Sequence, residues 1–402
     1  MSTIFDFAEY ISTRIPSLSP GQLALQLLSG GLTNVTVRVS FQPPIGFRSR
    51  QIHTAVLKYA PPFVAAYPTQ PLSVHRQTVE ARALKILSGS DTSVPQFSSL
   101  VAAFPTIRIP ELIYHDDERH VLWISDLGNT RTLSKYLTSD PRPLDNEVEA
   151  IAIQLSQFIT EMFRLTSASA EKDIDSSSSD PSDAGDVAQC LAQAAGKIMA
   201  EASVPDAEEL SMRILRCAKG KIQDPCLGMV DFWPESILID PEGNTGLVDW
   251  EYFGVTTAGS ELGMFRMHSS NFLSMLCLSV ETLLSLNTVA HLHIILLNDR
   301  LSPTSKETTR LFVRKFLQAW RTSHPTSLSL DFKYTFLISH GRELVNGVDL
   351  YSGKLSDLSK EKVTRAGVRN LRAAGATPEG VNGSFLDSAS DIENDLKHFL
   401  EL

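Results

Sequence analysis

The feature that most constrains this 402-residue chain is the stretch from Leu227 to Glu251, LGMVDFWPESILIDPEGNTGLVDWE. An apolar approach ends in an acid, Asp231, and a short loop, Phe232 to Glu235, follows. A strand-like run, Ser236-Ile237-Leu238-Ile239, then meets a Pro/Gly/Asn turn from Pro241 to Gly246. The second apolar run, Gly246-Leu247-Val248, delivers Asp249 and Glu251 at period-two spacing. Two strands joined by a tight turn bring their ends together, so Asp231, Ser236, Asp249 and Glu251 are expected in one cleft. Oxygen ligands gathered in this way suit Mg²⁺, which takes one or two carboxylates plus substrate phosphates.

These residues resemble the catalytic segment of the aminoglycoside phosphotransferase and choline kinase superfamily, whose fold is protein-kinase-like. The family pattern is His-Gly-Asp, four residues, then Asn or Ser, a hairpin, and Asp-x-Glu. This chain reads Met229-Val230-Asp231, then Ser236, then Asp249-Trp250-Glu251. Ser in place of Asn is the form of the methylthioribose kinases; in motif the chain is closest to these and to fungal-type small-molecule phosphotransferases. The departure is Met229-Val230 for His-Gly. The family His braces the loop by packing and backbone hydrogen bonding; a Met fills the volume but makes no such bond.

Upstream, a glycine-containing turn, Gly30-Gly31, precedes strict alternation at Val35, Val37 and Val39, and Ala55 to Tyr59 is a second strand carrying a single lysine, Lys58. Taken alone, Gly30-Gly31 also fits an ordinary hairpin turn. Arg76 to Leu87 has helical periodicity, with Val79, Ala83, Ile86 and Leu87 on one side and Glu80 one step off that stripe. Val121 to Ile124 is an apolar strand running into Ser125-Asp126-Leu127-Gly128. The resemblance implies that Gly30, Gly31 and Lys58 hold ATP phosphates and that Glu80 fixes Lys58. It also implies that the backbone of Ser125, Asp126 and Leu127 forms the adenine hinge.

The implied fold is α+β and bilobal: a small β-rich lobe over residues 1–125 with a hinge near 123–128, and a larger, mainly helical lobe over 126–402. The implied activity is ATP- and Mg²⁺-dependent transfer of the γ-phosphate to a hydroxyl of a small molecule. Asp231 would accept the hydroxyl proton, Asp249 would bind Mg²⁺, Glu251 would be a second ligand or an orienter, and Ser236 a weaker hydroxyl ligand. The intact acids and Lys58 favour an enzyme. Met229-Val230 keeps a second reading open, a pseudokinase that binds nucleotide or a partner protein without turnover.

A net charge of −10 argues against broad nucleic-acid binding, which needs a basic face. Four cysteines without CxxC spacing, Cys190, Cys217, Cys226 and Cys277, read as reduced thiols rather than a disulfide or zinc framework. The start of the chain lacks a secretory pattern, and the apolar region from Phe272 to Leu297 is interrupted by Glu281, Asn287, His291 and His293. Core helices, no membrane contact and a cytoplasmic location are therefore expected. Residues 261 to 352 read as mainly helical, with breaks at Pro303 and Pro325, and a last helix is expected near 389–401. Ser167 to Asp186 is rich in Ser and Asp and poor in large apolar groups, so a disordered insertion is expected there. His268, Arg266, His340 and Arg342 read as structural polar residues of the helical part. The short run from Tyr252 to Gly263 suits a small acceptor better than a docked peptide.

Overall fold

The computed structural model describes residues 5–28, 31, 33–47, 50–88, 96–176, 181–220, 224–263, 288–324, 326–386 and 391–401. Helix α1 (Phe7–Arg14) is capped by the Asp6 side chain, which accepts from Glu9 N at 3.0 Å. It lays Phe7, Tyr10 and Ile11 on a sheet built from β1 (Leu23–Leu28), β2 (Val35–Phe47) and β3 (Arg50–Tyr59). A small hairpin, β4 (Phe63–Val64) with β5 (Tyr67–Pro71), leads to α2 (Arg76–Leu87) and α3 (Gln96–Ala103). After β6 (Ile107–Arg108), strands β7 (Leu112–Asp116) and β8 (Val121–Ser125) complete the sheet in the antiparallel order β1-β2-β3-β8-β7. The alternation at Val35, Val37 and Val39 serves this sheet: Val37, Val39 and Phe41 are buried on the face that Trp123 and α1 cover.

The rest is mainly helical. Strand β9 (Arg131–Thr132) and α4 (Leu133–Leu137) precede three long helices, α5 (Asp145–Ser176), α6 (Pro181–Glu201) and α7 (Ala207–Lys219). Then come β10 (Pro225–Gly228), β11 (Ile237–Ile239), β12 (Thr245–Leu247) and β13 (Gly254–Thr257). Helices α8 (Ala258–Gly263), α9 (Thr288–Leu297), α10 (Pro303–Ser323), α11 (Leu330–Leu350), α12 (Asp357–Ala374) and α13 (Asp391–Leu400) follow. The turn from Pro241 to Gly246 joins β11 to β12 as an antiparallel hairpin pairing Ile237 with Leu247. β9 flanks the hairpin on one side, and β6 on the other in parallel. One core runs from α2 and β8 through α5 and the hairpin into α9 to α13. A β-rich sheet followed by a mainly helical body is the α+β arrangement expected.

Several expectations change. Across 167–186 the structure carries α5 on to Ser176 and starts α6 at Pro181, with 177–180 outside the described residues. The low apolar content was read as disorder, but Ala168, Ala170, Glu171 and Lys172 are good helix formers with no Pro or Gly among them. The break expected at Pro303 lies between α9, which ends at Leu297, and α10: Pro303 occupies the first turn of α10 after the Ser302 cap, where its missing N–H costs nothing. Pro325, Arg266, His268, Cys277 and the first part of the Phe272–Leu297 region lie outside the described residues. Among the described residues no helix is long and apolar enough to cross a membrane.

Candidate active site

The site forms where the catalytic hairpin meets the N-terminal sheet. β3 pairs with β8 on one side and β2 on the other, which fixes Lys58 opposite Thr36 and Leu122 in the middle of the sheet. Its side chain passes to α2, where Nζ donates to Glu80 Oε1 at 2.8 Å and Oε2 at 2.7 Å. The same Nζ reaches Asp249 Oδ1 at 2.7 Å, a residue 191 positions further along the chain. Lys58 and Glu80 are both buried. Burial opposes the lysine charge, but Asp249 and Glu80 outweigh it, so the Lys58 pKa lies above the ordinary lysine value. The Glu80 carboxyl is pushed up to about 7, chiefly by burial, against the pull of Lys58 and with the help of the Asp249 and Glu251 charges.

Glu80 lies on the buried face of α2 with Arg76, one turn earlier, and Gln77. The apolar stripe placed it one step off because the buried face of this helix contains charges, while Val79 is only half-buried. Gln77 helps fix the lysine strand by donating from Nε2 to Lys58 O at 2.8 Å and to His120 O at 2.6 Å.

Asp231 is buried at the start of the loop that β10 delivers. The loop is held from three sides. Thr288, at the start of α9, donates to Phe232 O through both its amide (2.9 Å) and its hydroxyl (2.8 Å). Leu133 N donates to Pro234 O at 3.0 Å, and the Ser134 hydroxyl donates to Glu235. Ser236, fully buried, spends its hydroxyl inside the loop on Trp233 O at 2.9 Å and Asp231 O at 3.3 Å, and accepts from Trp233 N at 3.2 Å. In this geometry it braces the loop. Met229 is completely buried. Val230 has φ 66°, the left-handed region that a β-branched residue rarely enters. Asp249 also takes φ 65°, which Asp tolerates better because its short polar side chain bonds locally.

The Asp249-Trp250-Glu251 spacing has a visible cause. Trp250 turns into the core, fully buried, with Nε1 donating to Leu247 O at 3.0 Å. The acids on either side then face the N-terminal sheet. Asp249 goes to Lys58 and keeps a third of its side chain exposed. Glu251 has both oxygens engaged: Oε1 accepts from the Thr33 hydroxyl at 2.7 Å and Oε2 from Asn34 Nδ2 at 2.7 Å, with Arg76 Nε 3.5 Å from Oε2. Glu251, expected as a second metal ligand or an orienter, is directed at the turn leading into β2. Among the described residues no group of three His, Cys, Asp or Glu is placed to hold a metal alone. One carboxylate completed by phosphate oxygens remains a normal magnesium donor set.

The expected hinge residues follow β8. Arg38 of β2 binds Asp126, Nε to Oδ2 at 2.8 Å and Nη2 to Oδ1 at 2.9 Å, and also donates to Gly128 O at 2.5 Å. Ser125 pairs with Glu111 through its amide, and its hydroxyl accepts from Glu111 N at 2.8 Å. Leu127 lies over the catalytic hairpin, so close that a Cβ on Gly246 would sit 2.6 Å from Leu127 Cδ1. The expected hinge residues, Lys58 and the β11–β12 hairpin thus lie close to one another. Gly31 is exposed, and Gly30 lies outside the described residues. Sequence reasoning did not single out Thr33, Asn34, Arg76 or Arg38. The available signal was Arg76 one helical turn from Glu80; the partners of the others lie 88 to 218 positions away.

No family model matches the chain. A 4-hydroxytryptamine kinase of Psilocybe cyanescens is 26% identical over 280 residues, covering 63% of this chain and 69% of that protein. A 4-hydroxytryptamine kinase of Psilocybe cubensis is 23% identical over 269 residues, with the same coverage of 63% and 69%. Among solved structures, a choline kinase from Cryptosporidium parvum aligns over 90% of this chain and 94% of its own at 10% identity, TM-score 0.46. Both of these sequence relatives are small-molecule kinases.

Proposed function

We propose that the chain is a small-molecule kinase that uses ATP and Mg²⁺ to phosphorylate a hydroxyl group. The observation that carries this reading is Lys58 Nζ, bonded at once to Glu80 and Asp249, three residues brought from distant parts of the chain. A buried lysine kept charged between two acids is a ready partner for phosphate oxygens. In this reading residues 1–125 form the nucleotide lobe and 126–402 the catalytic and acceptor lobe. Ser125 to Leu127 face the adenine through their backbone, and Gly30 and Gly31 approach the phosphates. Asp249 would hold Mg²⁺, which when bound with the nucleotide neutralises charge on the transferring phosphoryl group. Asp231 takes the proton from the attacking hydroxyl, and Ser236 and Thr288 keep its loop in place.

The sequence relatives point to a hydroxylated aromatic amine as the acceptor class. An aromatic wall suits it: Trp233, two residues after Asp231 and half-buried, meets the His291 ring edge-on at 5.9 Å. The His291 ring is in turn bonded to Tyr351 OH at 2.8 Å. The cytoplasm, where ATP and magnesium are plentiful, is the compartment this reading implies.

Two measurements test it. ATP is expected to raise the melting temperature more with magnesium than without, and Asp249→Ala to remove that difference. In a screen of ATP consumption with hydroxytryptamines and other hydroxylated amines, Asp231→Asn is expected to bind nucleotide but lose turnover by about 100-fold or more. Nucleotide binding that is indifferent to magnesium and to Asp249 would overturn the kinase reading and leave the pseudokinase one.

A further inference from the structure

We propose that Glu251 is a positioning residue for the nucleotide loop, acting through Thr33, Asn34 and Arg76. This deepens the kinase reading above and rests on it. Glu251 presents no free oxygen to the cleft, since Thr33 and Asn34 each donate to one of its oxygens at 2.7 Å. Asn34 is the relay: its Nδ2 donates to Glu251 while its Oδ1 accepts from Arg76 Nε at 3.2 Å. Arg76 is almost fully buried, and its remaining donors are all spent on backbone carbonyls around the same corner. Nη1 reaches Ser73 O at 2.5 Å and Leu72 O at 3.5 Å, and Nη2 reaches Thr33 O and Pro61 O, both at 3.0 Å.

The consequence is mechanical. A guanidinium committed to five acceptors in a rigid fork does not adjust, so it fixes where Asn34 and the Thr33 carbonyl lie. The Glu251 carboxylate supplies the countercharge that makes this buried cation tolerable, and it belongs to the same three-residue turn as Asp249. The start of β2 is therefore tied to the hairpin at Glu251, while Lys58 is tied to it at Asp249. Two parallel ties, two residues apart, set the distance between the turn bearing Gly31 and the acid proposed for the metal. Only the Asp249 tie has to open when a nucleotide phosphate takes Lys58; the Glu251 tie keeps the register meanwhile.

Binding separates this role from that of a metal ligand. Isothermal titration is performed on the full chain with ATP plus magnesium, ATP plus a chelator, and adenosine, for the wild type, Glu251→Gln and Asn34→Ala. Loss of one hydrogen bond to a charged group corresponds to about tenfold, so both variants are expected to bind ATP about tenfold more weakly, with and without magnesium. Their affinity for adenosine, which has no phosphate for the loop to meet, is expected to stay within about twofold of wild type. The proposal is overturned if the Glu251→Gln loss appears only with magnesium, if Asn34→Ala binds ATP like wild type, or if adenosine weakens in parallel. Should Glu251→Gln fail to fold, Thr33→Val removes one of the two bonds at the partly buried edge and must show the same pattern at smaller size. A wild type that binds neither ATP nor adenosine refutes the kinase reading itself, a result distinct from a fault in the tie.

Discussion

Val230 holds the least comfortable backbone in the site. A left-handed conformation costs an L-residue about 1–2 kcal/mol, and a β-branched side chain is among the worst placed to bear it. The loop keeps that conformation at φ 66° because Thr288, Leu133 and Ser236 hold the following carbonyls in place. Val230→Gly relieves that strain but also removes a buried side chain, so it is compared with Val230→Ala, which loses nearly the same buried surface and keeps a Cβ: the glycine variant is expected to be the more stable of the two by about 1 kcal/mol, part of the strain being offset by the extra freedom glycine has when unfolded. Urea unfolding of the two variants measures it, and an equal or lower midpoint for the glycine variant would show that the backbone there is not strained. At this scale the acids were legible because the Asp231 to Glu251 segment is local: a loop, two strands and a turn. The partners of Glu251 were not legible, because Asn34 lies 217 positions away and only the fold brings them together. The hold of the Ser236 hydroxyl on its loop was not legible either, since it follows from a burial that the sequence does not show.

Among the elements, α11 and α12 cross in close contact. Gly341 and Gly367 face one another there: a Cβ on Gly341 would lie 2.8 Å from Gly367 O, and one on Gly367 would lie 2.7 Å from Gly341 O. Backbone cannot rotate away as a side chain can, so a single methyl forces the helices apart and loosens the packing of Val345 and Leu371. Gly341→Ala and Gly367→Ala are each expected to cost about 1–3 kcal/mol, the range for overpacking a well-filled site. Gly21→Ala, where no heavy atom lies within 4 Å of the added carbon, serves as the neutral control in the same denaturation experiment. Equal stability in all three would mean the helices are not in contact as described. Elements with strong local signals were readable: α1, β2, α2, β8 and the hairpin arise where alternation or helical spacing is clear. The parallel pairing of β6 with β12 was not, since strands of two and three residues leave no periodicity to detect. The helical continuation to Ser176 shows the converse error, where composition outweighed the propensity of the residues present.

At the scale of the molecule, three buried histidines of the helical body make the fold sensitive to pH. His291 and His293 on α9 are enclosed, and burial lowers each pKa to about 3, with Arg369 adding to the effect on His293. His340 on α11, whose Nε2 is 3.1 Å from His293 Nδ1, is lowered in the same direction by burial and by the neighbouring histidines. In the unfolded chain these rings titrate near the ordinary 6.5, so between about pH 6.5 and 3 the unfolded state binds more protons. Stability that is complete above that window is lost as the pH falls through it, by about 1.4 kcal/mol per pH unit for each histidine. Glu80 works the other way: its folded value near 7 exceeds the ordinary carboxylate value, so the folded state gains protons as the pH falls from 7 toward 4.5. Glu343, raised chiefly by burial, adds to that opposition. Three histidines against two carboxyls leave a net loss, so the free energy of unfolding is expected to drop by about 1–3 kcal/mol between pH 7 and pH 5. Two substitutions test the assignment with opposite signs. His291→Phe, which keeps an aromatic ring beside Trp233 and removes a titrating group, should make the decline shallower. Glu80→Gln removes the opposing group and should make it steeper. Denaturant titrations at both pH values read the slope for each protein, and a shallower decline in the Glu80 variant would mean that the buried carboxyl is ionised throughout and that Lys58, not burial, governs it.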